Sequence, residues 1–194
     1  MKAPLSFIFI FWFLFQSNVH AMDRIATDSI IVNDSSIAEE DSSRSHIKLF
    51  ENSPVPDKSR TRLLMCTTIG LYPVSMYWLY TQWYQDYPQS GFHFFNDNAE
   101  WEKMDKFGHA WDAYSISKPL MKCFRWSGYS NTKSTLLASG ISFLYQTTVE
   151  VFDGFSEEWG FSSGDIICNT AGVGLFAAQQ VGWEEQRIVL KYSF

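Results

Sequence analysis

The sequence has little cysteine, little basic charge and no common catalytic motif. Each of these features argues against one class of site or partner. The three cysteines, Cys66, Cys123 and Cys168, are too widely spaced for a CxxC pair or a zinc motif. Each lies in an apolar stretch, so we expect buried free thiols, with one disulfide as the alternative. The net charge of −6 leaves no basic stripe, which argues against a nucleic-acid partner. HExxH, GxSxG and paired-cysteine signatures are also missing.

The N-terminus has the pattern of a secretory signal. Lys2 precedes an uncharged run from Leu5 to Phe15, and the small residues Val19 and Ala21 follow at the positions of a cleavage site. The run is too short to span a bilayer comfortably. We therefore predict a signal peptide over residues 1–21 and an exported, periplasmic protein associated with the inner or outer membrane. An uncleaved anchor is the alternative.

The next segment, residues 22–57, is rich in serine and acidic residues and ends in Ser53-Pro54-Val55-Pro56. Too few apolar side chains recur there to offset the entropy of ordering the chain. The sequence therefore predicts a disordered tether over residues 22–57.

Residues 58–183 have the composition of a helical domain. Long uncharged segments cover Leu63–Gln85, Ser134–Val149 and Ile166–Trp183, and a mixed segment from about Ala99 to Trp126 is interrupted near Pro119. Ser130 or Asn131 and the capping box Ser162-Ser163-Gly164-Asp165 mark helix starts. We predict a mainly α-helical protein, a compact bundle of about four apolar helices.

The first of these segments has the length and aromatic end of a membrane helix. Pro73 lies in its middle, and basic residues precede it on the exported side while acidic residues follow it. This charge order contradicts the positive-inside rule, so a buried or interfacial helix is favoured over an inner-membrane span.

Two further segments have their own patterns. After Trp183, apolar Ile188, Leu190, Tyr192 and Phe194 alternate with other residues, which predicts a short C-terminal β-strand over residues 184–194. His93 lies among phenylalanines in a loop, where a surface or interface aromatic patch is expected.

Three helices each carry polar residues at helical spacing. Asp105 and His109 are four apart, Glu150 and Asp153 three apart, and Asp165 and Asn169 four apart, so each pair shares a helix face. If the three faces meet, the candidate catalytic residues are Asp105, His109, Glu150 and Asp165. The candidate binding residues are Lys106, Asp112, Tyr114, Asp153 and Asn169.

The chemistry of this set has two interpretations. Carboxylates with an imidazole suit zinc or manganese, so His109, Asp105 and Glu150 are the expected ligands of any metal, and the same groups could exchange protons. In the other interpretation these groups bond to each other and cap helix ends, which sets the register of the bundle. The sequence favours this structural interpretation, because it carries no catalytic signature.

The order of these residues resembles a known family. Asp86-Tyr87-Pro88, Phe92-His93-Phe94-Phe95-Asn96-Asp97, Asp105-Lys106-x-Gly108-His109, Glu150-Val151-Phe152-Asp153-Gly154-Phe155-Ser156 and Asn169-Thr170-x-Gly172 together resemble the YfiM-like family of predicted periplasmic proteins. That family is a domain of unknown function, and the resemblance implies no activity. The Asp-Lys-x-x-His pattern with the later Glu, Asp, Asn and Gly is distantly similar to VanZ-like membrane proteins, which implies a shared polar site.

The function expected from the sequence is a structural or interaction role in the cell envelope, with a membrane or an envelope protein as partner. The alternative is a metal- or acid–base-dependent hydrolase or transferase that acts on a lipid or cell-wall precursor. No cofactor and no oligomeric state follow from the sequence.

Overall fold

The computed structural model describes residues 51–97 and 104–191. Every helix described below belongs to one compact unit, Ser53–Phe194. The predicted signal peptide and residues 22–50 of the predicted tether lie outside the described residues.

The described residues form four α-helices, which confirms the mainly helical fold. They are α1 (Lys58–Leu79), extended by a π-helical turn (Tyr80–Tyr84), α2 (Met104–Trp126), α3 (Asn131–Gly154) and α4 (Ser163–Gly182).

Two serine side chains that the sequence predicts at helix starts cap the N-termini of α3 and α4. The Ser130 hydroxyl accepts a hydrogen bond from the Lys133 amide at 3.4 Å, and that of Ser162 accepts one from the Asp165 amide at 3.3 Å. These bonds satisfy backbone donors that have no partner within the first helical turn. The starts of α3 and α4 were therefore readable from the sequence.

The predicted interruption near Pro119 is wrong, because α2 runs through it to Trp126. Proline lacks the amide hydrogen that would bond one turn back, which weakens a helix that stands alone. Pro119 is buried here. Packing against neighbouring elements keeps this part of α2 helical.

Helices α2, α3 and α4 pack against one another, and Gly172 of α4 lies close to the backbone of Ala110 in α2. A Cβ atom on Gly172 would lie 2.1 Å from the carbonyl oxygen of Ala110. Helix α1 packs through Met76, Leu79 and Tyr84 against aromatic and aliphatic side chains of α3 and the loop after it. Only glycine at position 172 permits this distance between α2 and α4, because the Cβ of any other residue would overlap the backbone of Ala110.

The interior of the bundle is unusually polar. Ser142 of α3 donates a hydrogen bond to the Ala113 carbonyl of α2 at 2.7 Å, and Ser117 donates to the same oxygen at 2.8 Å. Other buried polar side chains are Ser134, Thr135, Ser139, Gln146, Gln179 and Gln180. Many large apolar side chains are exposed instead, especially along α1. The bundle therefore buries hydrogen-bonding groups and leaves much apolar surface outside.

The predicted C-terminal strand is not confirmed. Residues 184–191 are irregular, and residues 192–194 lie outside the described range. Gln179 both accepts a hydrogen bond from the Ile188 amide at 2.6 Å and donates one to the Ile188 carbonyl at 3.1 Å. The backbone of this segment bonds to side chains of α4, so it needs no neighbouring strand at that point.

All three cysteines are free, as expected, but none is fully buried, because Cys66 is exposed on α1 and Cys123 and Cys168 are half-buried. Among the described helices, none is both long and hydrophobic enough to cross a bilayer.

Candidate functional site

The predicted polar residues of three helices meet in one cluster. We call it the acidic centre. It consists of Asp97, Asp105, Lys106, His109, Glu150, Asp153 and Asp165. Lys106 and His109 come from the start of α2, Glu150 and Asp153 from the end of α3, and Asp165 from the first turn of α4. The helical spacing that predicted shared faces therefore also brings those faces together.

Lys106 is the buried cation of the acidic centre. Its Nζ lies 2.6 Å from Asp97 Oδ1 and 2.7 Å from Asp165 Oδ1, and it also contacts Asp105 Oδ2 at 3.3 Å. Burial opposes the charge of the ammonium group, but the hydrogen bonds to Asp165 and Asp97 outweigh burial and raise the pKa of Lys106. Lys106 thus stays charged and holds three carboxylates around one point.

His109 faces a second group of carboxylates. Its Nε2 lies 3.4 Å from Glu150 Oε1, 3.7 Å from Asp105 Oδ1 and 3.8 Å from Asp165 Oδ1. The Asp105 side chain is 46% exposed and that of Glu150 only 1%. The acidic centre therefore reaches solvent on the Asp105 side and is closed on the Glu150 side.

Glu150 is a buried carboxyl group without a cation of its own. Its Oε2 accepts a hydrogen bond from the Ser162 amide at 3.2 Å. Burial, reinforced by the negative charges of Asp153 and Asp165, raises the pKa of Glu150 to about 9. Glu150 is therefore protonated at neutral pH when no other cation compensates it.

Asp153 closes the acidic centre toward α1. The Tyr84 hydroxyl donates a hydrogen bond to Asp153 Oδ1 at 2.6 Å. Burial raises the pKa of Asp153 to about 7, although the Tyr84 hydrogen bond and His109 oppose this. The π-helical turn that contains Tyr84 thus connects the aromatic contacts of α1 with the ionisable groups.

Asn169 lies on the same face of α4 as Asp165 and Gly172. It is fully buried, and neither its amide nitrogen nor its amide oxygen has a hydrogen-bond partner among the described residues. Since Gly172 packs on Ala110 and Asp165 contacts Lys106, this face of α4 is turned toward α2 around His109.

Two predicted binding residues lie on α2 after His109. Tyr114 donates a hydrogen bond to the Ile188 carbonyl at 2.9 Å, so it holds the C-terminal segment. Asp112 bonds to Gln146, and burial raises the pKa of Asp112 to about 7 against the opposing effects of His109 and Gln146. Tyr114 therefore contacts the C-terminal segment, and the binding roles of Tyr114 and Asp112 stay predictions.

Two residues of this site, Asp97 and Ser162, have roles that the sequence does not predict. Asp97 is not among the predicted site residues, yet it binds Lys106 and accepts a hydrogen bond from the Ser162 hydroxyl at 2.7 Å. Ser162 was taken only as the cap of α4, but its amide also holds Glu150. Asp97 stands in the family motif quoted above, and that motif was the one available signal.

The acidic centre falls within a segment that matches a known family. Residues 91–180 match the family described as predicted periplasmic lipoprotein, DUF2279. The match includes Asp97 and every residue of the acidic centre after it. It bears out the expectation of an exported, periplasmic protein associated with a membrane. It names neither the YfiM-like nor the VanZ-like resemblance, which stay predictions. No curated protein and no solved structure matches the chain.

Proposed function

We propose that the protein is a membrane-bound interaction protein of the cell envelope that attaches to phospholipid through the outer face of α1. The observation that carries this proposal is the apolar outer surface of that helix. Leu63, Ile69, Val74 and Tyr77 are between 60% and 71% exposed. Contiguous apolar surface of this kind on a water-soluble monomer marks an interaction site.

The outer face of α1 has the dimensions and borders of a lipid contact. The helix has 22 residues and is therefore about 33 Å long. From Leu63 to Leu79 the helix contains no charged residue. The exposed aromatic residues Tyr77, Trp78 and Tyr80 lie at its C-terminal end and in the π-helical turn that follows. Aromatic side chains favour the head-group region, and basic side chains favour anionic lipids. Lys58 and Arg62 are exposed at the other end.

The polar interior supports the same proposal. Groups such as Ser142 and Gln146 are buried, whereas Leu136 and Leu144 of α3 are 60% and 59% exposed. In water this arrangement exposes apolar side chains to solvent, which is unfavourable. Contact with a membrane would remove these side chains from water, and the distant similarity to VanZ-like membrane proteins is consistent with such contact.

Co-flotation with vesicles tests the attachment. The mature chain, residues 22–194 after removal of the predicted signal peptide, is expected to float with vesicles that contain phosphatidylglycerol. The double variant I69E/V74E is expected to lose at least tenfold of this binding. Both positions are exposed, so the variant should keep the helical circular dichroism of the native chain. V55E is the matched control, because Val55 is 66% exposed and lies outside α1. If I69E/V74E floats like the native chain, the assignment of α1 fails.

The second candidate function is a hydrolase or transferase that acts on a lipid or cell-wall precursor. The arrangement that favours it is His109 among three carboxylates at the solvent-accessible side of the acidic centre. The test incubates the full chain with lipid extracts and with cell-wall fragments, and follows products by mass spectrometry. A product formed by the native chain but not by folded D105N supports catalysis. No product from either substrate class removes this candidate.

A further inference from the structure

Unpaired buried atoms concentrate in the acidic centre and beside it. Among the described residues, six buried side-chain atoms have no hydrogen-bond partner, and five belong to His109, Glu150, Asp165 and Asn169. Asp165 Oδ1 is compensated by its ion pair with Lys106. Glu150 Oε1 has no hydrogen-bond partner among the described residues, although its side chain is only 1% exposed and the atom lies 3.4 Å from His109 Nε2. Buried polar atoms in proteins nearly always have a partner. Glu150 Oε1 therefore points to a ligand beside His109, where α2, α3 and α4 meet.

The spacing of the charged atoms suits a small metal ion. One atom each of Asp105, His109 and Asp165 lie within 4.8 Å of one another. The three carboxylate oxygens around His109 Nε2 lie at 3.4 to 3.8 Å from it. Tetrahedral zinc with bonds of about 2.0–2.2 Å places its ligand atoms roughly 3.3–3.6 Å apart. The distances from His109 Nε2 to the three oxygens are thus within a few tenths of an ångström of those in a zinc shell.

The charge balance also calls for a cation. Asp97, Asp105 and Asp165 share Lys106, and among the described residues the buried Glu150 contacts His109 and the Ser162 amide. Carboxylates packed this closely repel each other unless protons or a metal ion compensate them. A divalent ion beside His109 would compensate Glu150 and Asp105 together.

We infer that the acidic centre binds one zinc ion, with Asp105, His109 and Asp165 as ligands and Glu150 in the fourth position. An imidazole among carboxylates favours zinc over magnesium or calcium, which prefer oxygen ligands alone. Lys106 also bonds to the other oxygen of Asp165, Oδ2, at 2.9 Å, so Oδ1 can turn to the metal. The half-exposed Asp105 side chain provides the route of entry.

Metal titration of the purified full chain, free of any histidine tag, tests this site. After treatment with a chelator and its removal, zinc is expected to bind at one equivalent by calorimetry and to raise the unfolding temperature. Cobalt is expected to bind at the same place with the visible spectrum of a four-coordinate ion. The membrane proposal has a separate readout, so the two proposals succeed or fail independently.

Variants locate the ion. D105N is expected to weaken zinc binding at least tenfold without unfolding the protein, because Asp105 is 46% exposed. H109Q is expected to weaken it further. E157Q is the charge-matched control at an exposed position outside the centre and is expected to bind zinc within twofold of the native chain. The inference is overturned if the native chain takes up no zinc, or if D105N and H109Q bind it as the native chain does.

Discussion

Asp112 shows how burial on α2 makes stability depend on pH. The pKa of this carboxyl group is raised from 3.8 to about 7, chiefly by burial. A proton therefore binds the folded state more tightly than the unfolded state. The free energy of unfolding should fall as pH rises from about 4 to about 7, because the folded state must then bury a charge or lose its packing.

The variant D112N isolates this effect. Between pH 5 and pH 8 the native chain should lose about 2–3 kcal/mol of stability that D112N does not lose. Urea unfolding with a chelator present, at four pH values, measures the difference. D86N, at an exposed acidic residue, should follow the native curve. If the free energy of unfolding changes with pH in the same way for D112N and the native chain, burial does not raise the pKa of Asp112.

The ion pairs of Lys106 should contribute strongly to the stability of the fold. Removing the ammonium group leaves the buried Asp165 and the half-buried Asp97 without their cation, so K106M should destabilise the fold by about 3–5 kcal/mol. K133M removes an exposed lysine of α3 and should stay within about 0.5 kcal/mol of the native chain. Denaturant unfolding measures both, and equal stability of the two variants would show that the ion pairs do not hold the fold.

Part of the site could be predicted from residues alone. The spacing of Asp105 and His109, and of Asp165 and Asn169, identified helix faces that do meet. The pairing of Lys106 with Asp97 could not be found this way, because Asp97 lies in a loop and Lys106 in a helix. Helical spacing relates only residues of the same helix. Gln146 was missed for a similar reason, since its partner Asp112 lies on another helix.

At the scale of elements, the packing of α2 against α4 depends on one glycine. In G172A the new methyl group would overlap the Ala110 carbonyl, so the helices must move apart. We expect G172A to lose about 1–3 kcal/mol of stability. G174A is the matched control in the same helix, where a Cβ meets nothing within 4 Å. It should be neutral or stabilised by up to about 1 kcal/mol through helix propensity.

Thermal unfolding separates the two variants. A lower unfolding temperature for G172A alone supports the close approach of α2 and α4. Equal changes in both variants would mean that helix propensity, and not packing, decides the outcome.

Helix boundaries were predictable where side chains cap them, as at Ser130 and Ser162. The continuity of α2 through Pro119 was not, because packing of a buried residue overrides a local preference. The C-terminal alternation suggested a strand, but a strand needs a neighbour, and here Gln179 and Tyr114 supply the backbone contacts. Tertiary partners therefore explain both differences.

At the scale of the whole molecule, the inverted distribution of polar and apolar side chains predicts how attachment depends on charge. Lys58 and Arg62 are exposed at one end of α1. Each basic residue near an anionic membrane contributes about 1 kcal/mol. K58Q/R62Q should therefore bind phosphatidylglycerol vesicles roughly 30-fold more weakly at low salt, with little change on neutral vesicles.

Vesicle sedimentation at two salt concentrations measures this dependence. K133Q, which removes an exposed lysine of α3, serves as the control. Equal loss on neutral and anionic vesicles would mean that the apolar face alone determines binding.

The exposed thiol of Cys66 gives the molecule a natural attachment point for a probe. Cys123 and Cys168 are partly buried and burial raises the pKa of both thiols, so a maleimide reagent reacts with Cys66 first. A nitroxide or an environment-sensitive dye placed there reports the immersion depth of α1 directly. The native chain can thus reveal its own orientation without any engineered cysteine.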